Sequence, residues 1–259
     1  MKQTERRRYL IAALLKEQPQ YSKIEIPSRE QEQKILLRSL FNIRMPLPVT
    51  EEFLAVQDAY LQEETRKKEI TVLSDLEPVQ KGIYLWRGDI TTLQCDGIVN
   101  AANSQMLGCF CPNHGCIDNA IHTFAGVQLR LACADLMKQQ GHEEETGNDQ
   151  ITAAYNLPSR YVLHTVGPIV YGDLTKKDKE LLASCYQSCL EVAERNGLKS
   201  IAFCCISTGE FHFPNDKAAQ IAIETVKRYK EQTHSKIEVI FNVFKELDYN
   251  IYRELLRAD

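Results

Sequence analysis

Apolar positions recur at helix spacing through the first 75 residues. Leu10, Ile11, Leu14 and Leu15 do so within residues 4–17, and Ile35, Leu36, Leu40 and Phe41 within SREQEQKILLRSLFNIR. The breaker MPLP follows. Thr50 then precedes EEFLAVQDAYLQEE, an N-cap residue ahead of an acidic first turn. This pattern predicts three helices joined by Pro-containing loops, an N-terminal extension over residues 1–75. After Ser74 the texture changes. GIYLWRGDI and CDGIVNAAN are short apolar runs ending in Gly, Asp or Asn, as buried strands feeding loops do. A helix is predicted over residues 118–137, then strands in QITAAYNLP and RYVLHTVGP and a helix over 177–196 ended by Asn196-Gly197. The strand SIAFCCIS, a helix over 215–231, the strand KIEVIFNVF and a terminal helix complete the chain. Strands alternating with helices imply an α/β domain over residues 76–259, its sheet covered on both faces and its ligands at the carboxyl ends of the strands.

Composition narrows the function classes. The chain has 259 residues, 44% hydrophobic and 25% charged, which suits a soluble globular protein with a sizeable core. A net charge of -4 offers no footprint for duplex nucleic acid, although a single nucleotide can bind through backbone amides. No apolar run reaches bilayer length, so no membrane partner is expected, and KQTERRRYLIAALL reads as an amphipathic helix and not as a signal peptide. Nine Cys, an odd number that includes the adjacent Cys204 and Cys205, do not suggest a disulfide framework; a cytoplasmic location is expected.

The densest chemistry lies in GCFCPNHGC, directly before IDNAIHTFAG. Thiolate and imidazole favour zinc, and three protein donors leave a fourth position for water or substrate, as a catalytic site requires. Cys109, His114 and Cys116 would be those three. Cys111 is also available, and with it a closed structural site of four ligands; the sequence leaves both counts open. Elsewhere, Asp89 in RGDIT stands at a strand exit, where a carboxylate reads an adenine amine or simply forms a turn. NAAN supplies the amides of Asn100 and Asn103, and in ISTGEFHFP Gly209 lets backbone amides turn toward an anion while Phe211 and Phe213 wall a pocket. His122 reads as support beside the loop, His164 as structural, Trp86 as core, and His212 as equally suited to substrate or solvent.

Taken in order, RGDIT, CDGIVNAANSQMLG, IDNAIHTFAG, QITAAYNLPSRYVLHTVGP, ISTGEFHFP and FNVFKELDYNIY resemble a macrodomain, the ADP-ribose-binding module, from about Gly82 to Arg257. Macrodomains normally carry a glycine run after NAAN. Its replacement here by GCFCPNHGC resembles the zinc-dependent branch, which has a helical N-terminal extension and is often encoded beside a class of ADP-ribosylating sirtuins. The resemblance implies a three-layer α/β/α fold with a mixed, mostly parallel sheet. It also implies one zinc per chain on a GCFxPxHxC pattern, with Cys111 at the variable position.

For the ligand, the resemblance implies that Asp89 and Ile90 hold the adenine, Phe244 stacks on it, and Asn103 faces the distal ribose. The backbone amides of Ser207, Thr208, Gly209, Glu210 and Phe211 would clasp the diphosphate from one side, and Ile117, Asp118 and Asn119 from the other. A helix N-terminus there would favour the anion without a basic side chain. Asp118 would position or deprotonate water, its alternative being a helix cap. The implied activity is zinc-dependent removal of mono-ADP-ribose from protein side chains, Asp or Glu esters. A lipoyl-carrier protein of the glycine-cleavage H type would be a possible substrate. The competing readings are an ADP-ribose-binding reader with a structural zinc, and a hydrolase of a free derivative such as O-acetyl-ADP-ribose. The N-terminal helices, lacking Cys and His, are assigned a packing or substrate-rim role.

Overall fold

Helical periodicity in the first third of the chain becomes three helices, α1 (Gln3–Glu17), α2 (Glu30–Ile43) and α3 (Glu51–Arg66). The computed structural model describes residues 1–21 and 23–257. Thr50 caps α3 as predicted, its side chain accepting from the Phe53 amide. The apolar stripes of the three helices meet in a core of their own, in which Leu10, Ile11 and Leu14 are fully buried and which Val127 of the α/β part also enters. Each such aliphatic side chain contributes about 1.5–3 kcal/mol on burial.

The remainder is a three-layer α/β/α unit. Its strands are β1 (Thr71–Val72), β2 (Pro78–Gln80), β3 (Ile83–Arg87), β4 (Leu93–Gln94), β5 (Gly97–Ala102), β6 (Asp149–Ala153), β7 (Tyr161–Val166), β8 (Ser200–Phe203) and β9 (Glu238–Val243). Its helices are α4 (Ile117–Ala125), α5 (Val127–Gln140), α6 (Lys176–Arg195), α7 (Asn215–Thr233) and α8 (Glu246–Arg257). Seven strands form one sheet in the order β2-β3-β9-β8-β5-β7-β6, parallel except at its two edges, where β2 and β6 run antiparallel. β1 and β4 form a separate parallel pair that ties the end of the extension to the segment before β5. Sequence patterning did not mark β1, β2 or β4, which are too short for alternation to register. No helix among the described residues is long and apolar enough to cross a membrane.

Two features of the sheet position the site. β5 pairs with β7 along its whole length, from Gly97 to Ala102, but with β8 only at Gly97 and Ile98. The two strands therefore part toward their carboxyl ends, and the loops that follow them open on a common crevice. The helix predicted over residues 118–137 is in fact two, broken at Gly126, whose φ of 97° is one an L side chain rarely adopts. Gln57 of α3 lies in the break. Its Oε1 accepts from the Val127 amide at 2.9 Å, one of the donors that a helix start leaves without an internal partner. The extension thus closes the amino end of α5, an arrangement that local periodicity cannot reveal.

Candidate functional site

The loop between β5 and α4 carries the soft ligands. One ligand atom from each of Cys109, His114 and Cys116 lies within 4.8 Å of the other two. Cys111 is exposed and is not part of the group. Cys116 is the N-cap of α4, its Sγ accepting from the Asn119 amide at 3.4 Å. Burial, offset in part by that amide and reinforced by the neighbouring Cys109, pushes the Cys116 thiol up. A pair of thiolates here therefore calls for a cation. His114 Nδ1 is buried with no hydrogen-bond partner among the described residues, as an acceptor reserved for a metal would be. Donor chemistry, convergence and this unpaired nitrogen together fit zinc with three protein ligands. On its other side, His114 Nε2 is 3.6 Å from Glu210 Oε1, which brings the 207–211 loop up against the loop between β5 and α4.

Asp118 stands in the first turn of α4 but does not cap it; Cys116 does, so the capping alternative is corrected. The Asp118 carboxylate turns inward. Asn100 Nδ2 donates to its Oδ1 at 2.8 Å, and His122 Nε2 lies 3.5 Å from the same oxygen. Burial raises its pKa to about 6, against the pull of Asn100 and Arg130. Asn100 is itself fully buried and also meets His164 Nδ1 at 3.2 Å, while Thr152 Oγ1 is 3.0 Å from His164 Nε2. Asn100 and Asn103, expected together in the crevice, are therefore divided: Asn100 is a buried support and Asn103 lies in the loop. Asn103 Oδ1 accepts from the Gln105 amide at 3.1 Å and its Nδ2 donates to the Gly108 carbonyl at 3.3 Å. His122 and His164 are both buried and, through burial, held neutral well into the acid range, in keeping with supporting roles.

At the far end of the crevice, Asp89 Oδ1 accepts from the Thr91 amide at 3.0 Å and from Thr91 Oγ1 at 2.6 Å, and Lys68 Nζ donates to Oδ2 at 3.1 Å. Burial alone would raise this carboxyl's pKa, but Thr91 and Lys68 outweigh it and hold the group below the usual range. The Ile90 side chain belongs to the core, so only its backbone is free to meet a ligand. Phe244, just past β9, is 75% exposed, a ring without a protein surface to cover it. The amide of Gly88 donates to the Val243 carbonyl at 3.0 Å and brings Phe244 to the same end as Asp89. Phe211 is half-buried in the 207–211 loop, whereas Phe213 is 1% exposed and is core, not pocket wall. His212 is exposed. Trp86 is half-buried at the margin of the core and not within it.

Sequence reasoning missed the contribution of α2. Arg38 donates from Nε and Nη2 to Asn119 Oδ1, at 3.2 and 2.8 Å, and from Nη2 to the His114 carbonyl at 3.0 Å. Asn42 Oδ1 accepts from the Asn113 amide at 2.9 Å. The available signal was a run of polar residues, Arg38, Ser39 and Asn42, interrupting the apolar stripe of α2. That spacing is equally that of a solvated helix face.

Against known proteins, the Macro domain family model matches residues 99–222. A Treponema medium protein named "Protein-ADP-ribose hydrolase" is 58% identical over 260 residues, covering 99% of this chain and 100% of that protein. A Staphylococcus aureus (strain MSSA476) protein of the same name is 48% identical over 253 residues, covering 97% and 95%. Among solved structures, the Trypanosoma brucei macrodomain in complex with ADP-ribose superposes with a TM-score of 0.67 at 32% identity, covering 85% of this chain and 94% of that one.

Proposed function

The chain belongs to the macrodomain family, and on that footing we propose that it is a zinc-dependent hydrolase removing mono-ADP-ribose from protein side chains, Asp or Glu esters. The observation that carries this reading is the convergence of Cys109, His114 and Cys116 at the crevice, with Cys111 outside the group. Three donors leave an open position and favour chemistry over a closed structural site. Two relatives similar along nearly their whole length and named protein-ADP-ribose hydrolases support the same activity.

In this reading the crevice binds ADP-ribose along the carboxyl ends of the strands. The adenine lies between Phe244 and the Asp89–Ile90 turn. The diphosphate lies between the 207–211 loop, in which the Thr208 amide is already given to the Cys205 carbonyl, and the first turn of α4, where the helix dipole favours an anion although the Asn119 amide is given to Cys116 Sγ. Asn103 holds the distal ribose beside the metal loop. When bound, zinc supplies Lewis-acid polarisation of a substrate oxygen. Asn100 fixes Oδ1 of Asp118, so Oδ2 is the oxygen that accepts a proton from water. A carboxylate with a pKa near 6 is a competent base at neutral pH. Water adds its oxygen to C1'', the bond from C1'' to the ester oxygen breaks, and the protein carboxylate leaves with that electron pair. The proton lost by water resides on Asp118 until it passes to solvent.

The test uses purified full chain and proteins mono-ADP-ribosylated on Asp or Glu, a lipoyl-carrier protein among them. Release of ADP-ribose that stops on metal stripping and returns with zinc, while the stripped protein still binds ADP-ribose, is the expected result. Binding without turnover would leave a reader module. Turnover of O-acetyl-ADP-ribose alone would move the activity to a free metabolite, and full activity at zero measured metal would remove zinc from the mechanism.

A further inference from the structure

We propose that α2 of the N-terminal extension is the clamp that holds the metal loop in its ligating geometry, with Arg38 as its positioning residue. The inference rests on the reading of Cys109, His114 and Cys116 as zinc ligands. Residues 103–116 form a long connection without regular structure, and such a segment does not by itself hold three donor atoms together. Its backbone is instead tied down from outside. The guanidinium of Arg38 reaches the carbonyl of His114, a ligand residue. The same group makes a forked contact to Asn119 Oδ1, and Asn119 Nδ2 in turn donates to the Cys111 carbonyl at 3.0 Å. Asn42, one turn further along α2, accepts from the Asn113 amide at 2.9 Å, at a residue held at a φ of 54°. Three points between Cys111 and His114 are thus referred to one helix that the sequence assigned to a packing or substrate-rim role.

The chemistry favours Arg at this place. A planar fork can hold an amide oxygen with two N–H groups while a third donor reaches a carbonyl; a lysine ammonium on a flexible stem cannot reproduce that pattern. Outer partners of this kind typically govern metal affinity by about 10–100-fold.

The test compares full-length parent, Arg38→Met, Arg38→Lys and, as a control at the N-cap of the same helix, Arg29→Met, whose side chain is 82% exposed. Zinc affinity is read by chelator competition, loop order by hydrogen exchange over residues 109–116, and ADP-ribose affinity on the metal-free proteins. Both Arg38 variants are expected to lose about 10–100-fold in zinc affinity and to exchange faster across the loop, with metal-free ADP-ribose affinity within a few-fold of the parent and Arg29→Met unchanged throughout. Should Arg38→Met fail to fold, Arg38→Lys carries the comparison. Zinc affinity within twofold of the parent in a folded Arg38 variant overturns the clamp while leaving the zinc site standing. A parent chain that takes up no stoichiometric zinc overturns the site and the clamp together.

Discussion

Gly108→Ala tests whether the metal loop is seated on His122 as tightly as the geometry indicates. Gly108 has a φ of +82°, and a Cβ there would lie 2.8 Å from both Cδ2 and Cγ of His122. Ordinary carbon contacts sit at about 3.5–4.0 Å, so the ring would have to yield by roughly 0.7 Å or more. It has little room, since the His122 side chain is only 2% exposed. The left-handed backbone costs a side chain about 1–2 kcal/mol, and overpacking a buried site adds about 1–3 kcal/mol. Together these predict a loss of about 2–5 kcal/mol, or roughly 4–20 °C in Tm at about 2–4 °C per kcal/mol. Gly141→Ala is the matched control, because its φ is +79° but its Cβ would meet nothing within 4 Å. It should lose the backbone contribution alone, about 1–2 kcal/mol. Urea unfolding of the two variants separates the contributions, and zinc affinity of Gly108→Ala should fall as well, since the next residue is Cys109. If Gly108→Ala is no less stable than Gly141→Ala, the loop is not packed on His122 and the reasoning fails.

Cys111→Ser should leave zinc affinity within about twofold of the parent, while Cys109→Ser or Cys116→Ser should abolish stoichiometric uptake; an equal loss from all three would mean a four-ligand site. Asp118→Asn should lower turnover by about 10²-fold or more while ADP-ribose affinity, read by calorimetry, changes little, and unchanged turnover would remove Asp118 as the base. Asp149 provides a pH test remote from the metal loop. Burial raises its pKa from 3.8 to about 6, and its Oδ2 has no hydrogen-bond partner among the described residues. A raised carboxylic acid contributes stability that is fully present below about pH 4 and is lost as pH rises through about 6. Asp149→Asn should therefore be more stable than the parent at pH 8, by about 1–2 kcal/mol after allowing for partial exposure, and should lose that advantage at pH 4. A pH-independent difference between the two unfolding curves would show that the carboxyl is not strained by its burial.

The legible parts of this chain were those where chemistry or periodicity is local. The thiols and imidazole of GCFCPNHGC lie within eight residues and stand out against any background. Apolar spacing announced α1, α2 and α3, and alternation of strand and helix announced the layered sheet. Illegible parts were those where two distant segments share one environment. Asn100 and Asn103 are three residues apart in one motif, yet one is sealed beneath Asp118 and the other lies in the loop, because the side chain of a strand residue follows the face it occupies. Phe211 and Phe213 read alike as pocket aromatics; burial separated them. Gly126 carries no mark of a helix break until Gln57 is seen filling it.

From composition, periodicity and motif alone follow the layered α/β class, the helical extension and the soft-ligand cluster of Cys109, Cys111, His114 and Cys116, since each depends on contacts or chemistry within a few positions of the chain. The separation of Cys111 from Cys109, His114 and Cys116, the inward turn of Asp118 onto Asn100 and the contact of Arg38 with the His114 carbonyl were decided only by the tertiary structure. Those properties are set by distances between residues tens of positions apart, and packing, not sequence proximity, fixes such distances.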